Sequence, residues 1–558
     1  MKRKSLLSLI VLLLGAFSIA AQKVVPQGIV AGITEDPLVG QANYRSLYAA
    51  HCRAVEEGTT VDYGFLAGQV VFLSIPADAK TMPLAQTNDF RNVVLVVRNS
   101  NKTLDLFTMT ADIKGIKLDS MQVDEGDFSN VPQLQKGRHL VVLRDRNPWV
   151  GERIGYGSPA HRSDILLVEN GRSLNRPVAS YATKATWLSG SYVTIPEGHK
   201  RIANLHIQRH PLSSARTNGF NINLQDDVEL TNITIATPQY KRFKSFATAP
   251  LRQLRDRGIA SEGRDSEPVA DWLNQLNSQR AAVKLLADEA IKITNSTRVA
   301  LTDVVIDGTY TIPGTWGYAF SIYNVWNTSY NRVVADANWG VFGSNCMSLT
   351  TLNACELNRF DIHCYGRDVR CVNCLFRNKQ TQFSSLYGTL VFERCTFDDC
   401  IPVRIRASYN AYTPFDIQFR NCTFVATTKH HALVNVMLLD PNRNSRPELY
   451  DRCLPNIDIE NMTIQLPSSV RHINIFDPTG TTSLCRQPFS YLNHVTLTDM
   501  RFETSSLRRS VPTVVTSSED FATEQAVEIN EKNIRWVDAK GKEGAQPKIV
   551  NKLVRKMP

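Results

Sequence analysis

The segment Arg359-Phe-Asp-Ile-His-Cys-Tyr-Gly-Arg-Asp368 sets a carboxylate, an imidazole and a phenol at every second position. Phe360, Ile362 and Cys364 alternate with Asp361, His363 and Tyr365. Successive side chains of a strand face opposite ways, so burying the apolar set leaves the polar three on the outer face. Successive members then stand about 6.6 Å apart. Such groups pass protons near neutral pH; an ordinary solvent-facing strand shows the same row. Ile401-Pro-Val-Arg-Ile-Arg-Ala-Ser408 repeats the alternation and turns Arg404 and Arg406 outward. Two guanidinium groups so placed form a fork for carboxylate or sulfate, or are simply solvated. Around them, Tyr323, Asn345, Arg367, Tyr387 and Tyr409 are candidates to border the same groove and contact a substrate. Aromatic rings at such edges stack on sugars or pack turns.

A recurring unit must position these residues. Asn, Asp or Arg precedes two alternating apolar positions in Asn232-Ile-Thr-Ile235, Asp303-Val-Val-Ile306, Asn373-Cys-Leu-Phe376, Arg394-Cys-Thr-Phe397, Asn421-Cys-Thr-Phe424, Asn461-Met-Thr-Ile464 and Asp499-Met-Arg-Phe502. Ala354-Cys-Glu-Leu357 keeps the register, and from Ala354 to Asn421 the units start 19, 21 and 27 residues apart. Short strands at that period without intervening helices predict an all-β right-handed parallel β-helix over residues 60–505. The register stacks Cys355, Cys374, Cys395 and Cys422 inward on successive coils, as a ladder of free thiols acting as small hydrophobes. The eleven cysteines show one CxxC pair and no second, so zinc is not indicated. A chain of this length needs no disulfide framework. The Asn-X-Thr sequons at Asn232, Asn421 and Asn461 come from the same repeat, which makes them poor evidence of glycosylation.

Departures from the repeat mark the remaining units. Residues 22–59 hold a helical cap, with Tyr44, Leu47, Ala50 and Val55 at helical spacing; open coil ends need such cover. Residues 243–298 read as a helical insertion, and 506–558 as a basic tail in which Ile534, Trp536 and Val537 can pair as a last strand. Lys2, Arg3 and Lys4, the apolar run Leu6–Leu14 and the small residues before Gln22 form a signal peptide over residues 1–21. The mature protein is therefore expected to be secreted or periplasmic, with neither a lipid-anchor cysteine nor a membrane span. A net charge of +10 favours an acidic partner, and the absence of a nucleic-acid-binding motif disfavours DNA or RNA.

The coil series resembles the pectate-lyase-like β-helix superfamily, and the Arg-Phe-Asp-Ile-His-Cys-Tyr segment resembles a motif of secreted β-helix proteins from gut bacteria. Among these, it is similar to polysaccharide lyases acting on glycosaminoglycans such as chondroitin sulfate. That resemblance implies β-elimination on an acidic polysaccharide. His363 would be the base, Tyr365 the acid, Arg404 or Arg406 the neutraliser of the uronate carboxylate, and Asp361 the partner that orients His363. Calcium-dependent pectate lyases use clustered acidic ligands and a catalytic arginine. No such cluster stands out here, so calcium, though open to this fold, is not supported and no cofactor is assigned. Asp226-Asp227 is the competing feature, because inverting β-helix glycosidases use two carboxyl groups about 6.5–9.5 Å apart. Adjacent strand residues point apart, and a turn role fits this pair better. A glycan-binding protein without catalysis is the third class. His161 and His210 lie in proline-containing, turn-like stretches that suit structural roles.

Overall fold

The computed structural model describes residues 23–556, except 153–158, 183–187, 211, 237–288, 310–317, 338–339, 358, 378–380, 385, 407–410, 413, 439–450, 468, 481, 506 and 508–510. Three strands per coil recur along the chain, and each pairs in parallel with its counterpart one coil later. The first face runs through Leu375–Arg377, Thr396–Asp398 and Thr423–Val425. The second runs through Asp361–Ile362, Gln382–Phe383, Val403–Arg406 and Ala432–Leu438. The third runs through Gly366–Val372, Leu386–Glu393 and Phe415–Arg420. This is the expected right-handed parallel β-helix.

The repeated Asn, Asp or Arg has a backbone cause. Asn204, Asn232, Asp303, Arg332, Ala354, Asn373, Arg394, Asn421, Asn461, Asp499 and Asn533 all have φ between 51° and 61°. They form the corner from third face to first, where the chain turns through the left-handed region that Asn and Asp tolerate best. Stacking puts these side chains in register: Asn232 Nδ2 donates to Asn204 Oδ1 at 2.8 Å, Arg394 Nε to Asn373 Oδ1 at 2.8 Å and Asn461 Nδ2 to Asn421 Oδ1 at 2.6 Å.

One residue further in lies the thiol ladder. Cys355, Cys374, Cys395 and Cys422 are at most 2% exposed, and all eleven cysteines are free. Burial, with neighbouring thiols, pushes the Cys374 thiol far above its usual range. The thiols donate to carbonyls, Cys374 Sγ to Val372 O at 3.3 Å and Cys395 Sγ to Cys371 O at 3.3 Å. Behind them the aromatics stack coil on coil, with Phe376 and Phe397 rings 5.4 Å apart and Phe392 and Phe419 likewise 5.4 Å. Offset pairs of this kind add about 0.5–1.5 kcal/mol beyond their area burial.

The ends and insertions differ from the sequence-based boundaries. The cap helix spans Pro37–Glu56 and begins at Asp36, whose side chain accepts from the Leu38 N–H. Residues 506–558 are not a tail: Thr513–Ser517, Glu528–Lys532, Arg535–Asp538 and Lys548–Val550 continue the coils, and Trp536 is 3% exposed. Alternation there is carried by few apolar residues among many charges, which hides the strands. Most of 243–298 lies outside the described residues, but Ile291–Thr309 is a strand rather than helix. The largest unforeseen element is an antiparallel sheet of Lys114–Ile116, Arg138–Glu152, Pro159–Glu169, Arg172–Ser173 and Leu188–Thr194. It carries its own core of Val123, Phe128, Leu143, Leu166 and Tyr181.

Candidate active site

Along the chain, the second-face strands follow one intervening segment and precede another. The antiparallel subdomain leaves the coils after the second-face strand Leu104–Met109 and returns at the third-face strand Lys200–Arg209. Residues 237–288 join Ala236 on the first face to the second-face start of Ile291–Thr309. The subdomain is docked, since Leu140, Val142, Ile165 and Leu167 share an apolar cluster with Leu224 and Trp326 of the coils. Its strand Pro159–Glu169 lies against the coil strands Ile291–Thr309, Tyr318–Asn331 and Gly340–Asn353.

On this face Ile362, Phe383, Ile405 and Val436 point into the core. Asp361, Gln382, Arg404 and Asn435 form the outward row beside them, one per coil. The expected alternation is therefore present at Asp361 and His363, but the expected exposure is not: they are 0% and 7% exposed. Arg359 folds back over the row. Its Nε donates to Asp361 Oδ1 at 2.6 Å, its Nη2 stands 2.6 Å from Asp361 Oδ2, and Nη2 also donates to Gln382 Oε1 at 3.3 Å. His363 Nε2 lies 3.7 Å from Asp361 Oδ2 and 3.2 Å from the Tyr318 hydroxyl, whose ring stands edge-on to the imidazole at 5.8 Å. The Tyr318 ring occupies the space over Gly343, where an added Cβ would come within 2.5 Å of it.

Tyr365 departs from the expected outer row. Ser344 pairs with Ile362 and Met347 with Gly366, so Asn345 and Cys346 face three residues, His363 to Tyr365. That extra residue is a bulge, and it re-aims the side chain. Tyr365 takes φ 59° in the corner between second and third faces, stacked on Asn295, Asn324 and Cys346, all at positive φ. A tyrosine in that conformation is a genuine outlier. It is 2% exposed, and burial, then the nearby Cys364 and Cys346, raises its phenol well above the usual 10.

The subdomain supplies the other side of that seam. Arg162 is fully buried, donating to Asp164 Oδ2 at 2.7 Å and lying 3.9 Å over the Tyr181 ring. Tyr181 donates to the same carboxylate at 2.9 Å. Exposed Arg367 ties the two parts together by donating to Val178 O at 3.1 Å, and it also meets Asp368 at 3.4 Å. Tyr387 is its register partner on the next coil and is half-buried.

The structure thus divides the predicted residues. Asp361, His363 and Arg404 share one face; Arg404 Nη2 meets Met437 Sδ at 3.5 Å. Arg406 pairs with Met437 through its backbone on the same face. Tyr323 and Asn345 lie on the preceding coils of that face, with the Tyr323 phenol pushed up to about 12 by burial and Cys346, and Asn345 Oδ1 accepting from Cys364 Sγ at 3.3 Å. Tyr365, Arg367 and Tyr387 belong to the subdomain seam instead. Tyr409 lies outside the described residues. Sequence reasoning missed Tyr318, Arg359 and Gln382. Arg359 had a visible signal, two residues before Asp361 and so on the same side of a strand; Tyr318 lies 45 residues before His363 and had none.

The competing carboxylates are committed to ion pairs. Asp226 is 3% exposed and accepts from Thr297 Oγ1 at 2.7 Å and from Arg298 Nε at 2.8 Å. Asp227, at φ 58°, meets His199 Nδ1 at 3.0 Å. His210 is fully buried, with Nδ1 accepting from the Leu212 N–H at 3.1 Å. The His161 side chain lies outside the described residues. Among the described residues, no group of three or more His, Cys, Asp or Glu side chains is placed to hold a metal ion, and no helix is long and apolar enough to cross a membrane.

No family model matches the sequence, and no curated protein matches it. Among solved structures the chain is similar to the tailspike gp61 of Pseudomonas phage phi297, at 10% identity over 92% of this chain and 84% of that one, with a TM-score of 0.48. It is also similar to the tailspike gp49 from Pseudomonas phage LKA1, at 10% identity over 91% and 84%, with a TM-score of 0.45. The gp54 tailspike of Acinetobacter baumannii bacteriophage AP22, in complex with A. baumannii capsular saccharide, matches at 11% identity over 92% and 72%, with a TM-score of 0.34. The fold assignment itself rests on the strand register.

Proposed function

We propose that the protein is an exported polysaccharide lyase that cleaves a uronic-acid-containing polymer, of the glycosaminoglycan kind, by β-elimination. The observation that carries this reading is the His363 Nε2, which stands 3.2 Å from the Tyr318 hydroxyl and 3.7 Å from the Asp361 carboxylate. His363 takes the proton from the carbon beside the uronate carboxylate. The electron pair forms the ring double bond and expels the glycosidic oxygen, which Tyr318 protonates. Arg404, two coils from Asp361 on the same row, neutralises the carboxylate as negative charge builds on it. Tyr318 replaces Tyr365 as the acid, because Tyr365 is turned into the subdomain seam. Base and acid stand side by side, so both proton transfers occur on one face of the sugar ring. That fits glucuronate, whose C5 proton and C4 oxygen lie gauche, better than its C5 epimer iduronate.

Incubation with chondroitin sulfate, dermatan sulfate, hyaluronan and polygalacturonate tests the proposal. The expected result is a new near-ultraviolet absorbance from the unsaturated uronic ring, greatest on the glucuronate polymers. New reducing ends without that absorbance would instead identify a hydrolase. Salt-sensitive binding with unchanged polymer length would identify a glycan-binding protein.

A further inference from the structure

We infer that Gln382 is a substrate-binding residue whose side-chain amide donates to the uronate carboxylate, completing with Arg404 a two-donor site beside His363. Gln382 sits on the outward row between Asp361 and Arg404, with coils about 4.8 Å apart. Its amide orientation is dictated by a neighbour. Arg359 Nη2 donates to Gln382 Oε1 at 3.3 Å, and a guanidinium has only donors to offer, so the oxygen must face Arg359 and the NH2 group must face away. That Nε2 is buried and has no hydrogen-bond partner, on a residue only 2% exposed. Folded proteins rarely leave such a donor unmet, and it costs stability unless a ligand satisfies it.

The missing partner is an acceptor, and its position selects the chemistry. Arg404, next on the row, brings a positive charge. A planar carboxylate can accept from the Gln382 amide at one oxygen and from Arg404 at the other, in the manner of bidentate recognition. A neutral hydroxymethyl group at the same carbon offers no charge for the guanidinium to pair with. Arg359 thereby has two tasks, holding the Asp361 carboxylate and fixing which end of the Gln382 amide meets the sugar.

This assignment rests on the lyase reading, and the two can fail separately. Calorimetric titration of a chondroitin tetrasaccharide and its carboxyl-reduced counterpart reads the preference for the carboxylate. Gln382→Met keeps the volume and removes both amide atoms. The assignment predicts acidic-ligand affinity lower by about 10- to 100-fold, unchanged affinity for the reduced ligand, and a melting temperature equal to or above wild type. A structural glutamine would instead lose stability and keep the preference. Gln382→Glu, which preserves shape and still pairs with Arg359, should bind the acidic ligand more weakly still, by like-charge repulsion. A wild-type preference retained in either variant overturns the assignment while leaving the lyase reading in place. A wild-type protein that binds neither tetrasaccharide overturns both.

Discussion

Two corners of the same coil treat their residues in opposite ways. At the corner from third face to first, the left-handed position is filled by Asn, Asp or Arg in most coils, and the next residue inward is a thiol or methionine from Cys355 to Met500 and a branched aliphatic side chain in the coils before and after. At the corner from second face to third, the same backbone conformation holds Asn295, Asn324, Cys346 and then Tyr365. The first corner meets one demand repeatedly, a turn with stacked side-chain hydrogen bonds, and the same chemistry answers it each time. The second meets a different neighbour on each coil, because the antiparallel subdomain seats against it and the Asp361–His363 row opens beside it. Regularity marks scaffold; a strained conformation kept by a bulky residue marks a place where surrounding structure over-determines the backbone.

The largest expected effect tests whether the irregular side is where the chemistry happens. His363→Ala should lower kcat by about 10²- to 10⁴-fold, as loss of a general base does, and Tyr318→Phe should lower it without weakening polymer binding. Steady-state rates on chondroitin sulfate and a thermal melt of each variant check this. A His363→Ala protein with full turnover removes this face from consideration.

A middle-sized effect separates the corners energetically. Tyr365→Ala empties a fully buried aromatic site and should cost about 3–5 kcal/mol. Asn373→Gly, at φ 55° on the regular corner, keeps a residue at ease in that conformation. It loses only the acceptor for Arg394, about 1 kcal/mol. Urea unfolding midpoints measure both, and equal costs would erase the distinction.

The smallest effect is a pH dependence to which buried thiols at both corners contribute, and which one residue of the irregular side can reduce. Burial, then Asp164, lifts the Cys346 thiol to about 12, and burial, then Cys346, lifts the Tyr323 phenol to about 12. In the unfolded chain these groups ionise near about 8.5 and 10. The folded state therefore holds more protons above pH about 8.5, so the stability these groups contribute is complete below that value. It falls as pH rises toward 12. Denaturant midpoints at pH 7.5 and 10.5 should show this decline, and Cys346→Ala should reduce its slope.

The sequence by itself determined the helix. The Asn-Cys-Thr-Phe register predicts the strand phase, the inward thiols and the core phenylalanines, since a solenoid makes the same local request on every coil and answers it with nearby residues. It also placed Asp361, His363 and Arg404 on one face, because the period-2 pleat is a local property. Only the tertiary structure decided the rest. The one-residue bulge that turns Tyr365 away depends on the pairing of Asn345 and Cys346 with the following coil. The His363–Tyr318 contact joins residues 45 apart, and Arg367 reaches Val178 across 189. The burial of the site depends on what packs over an outward row, and alternation along one strand carries no information about a neighbour supplied by a distant part of the chain.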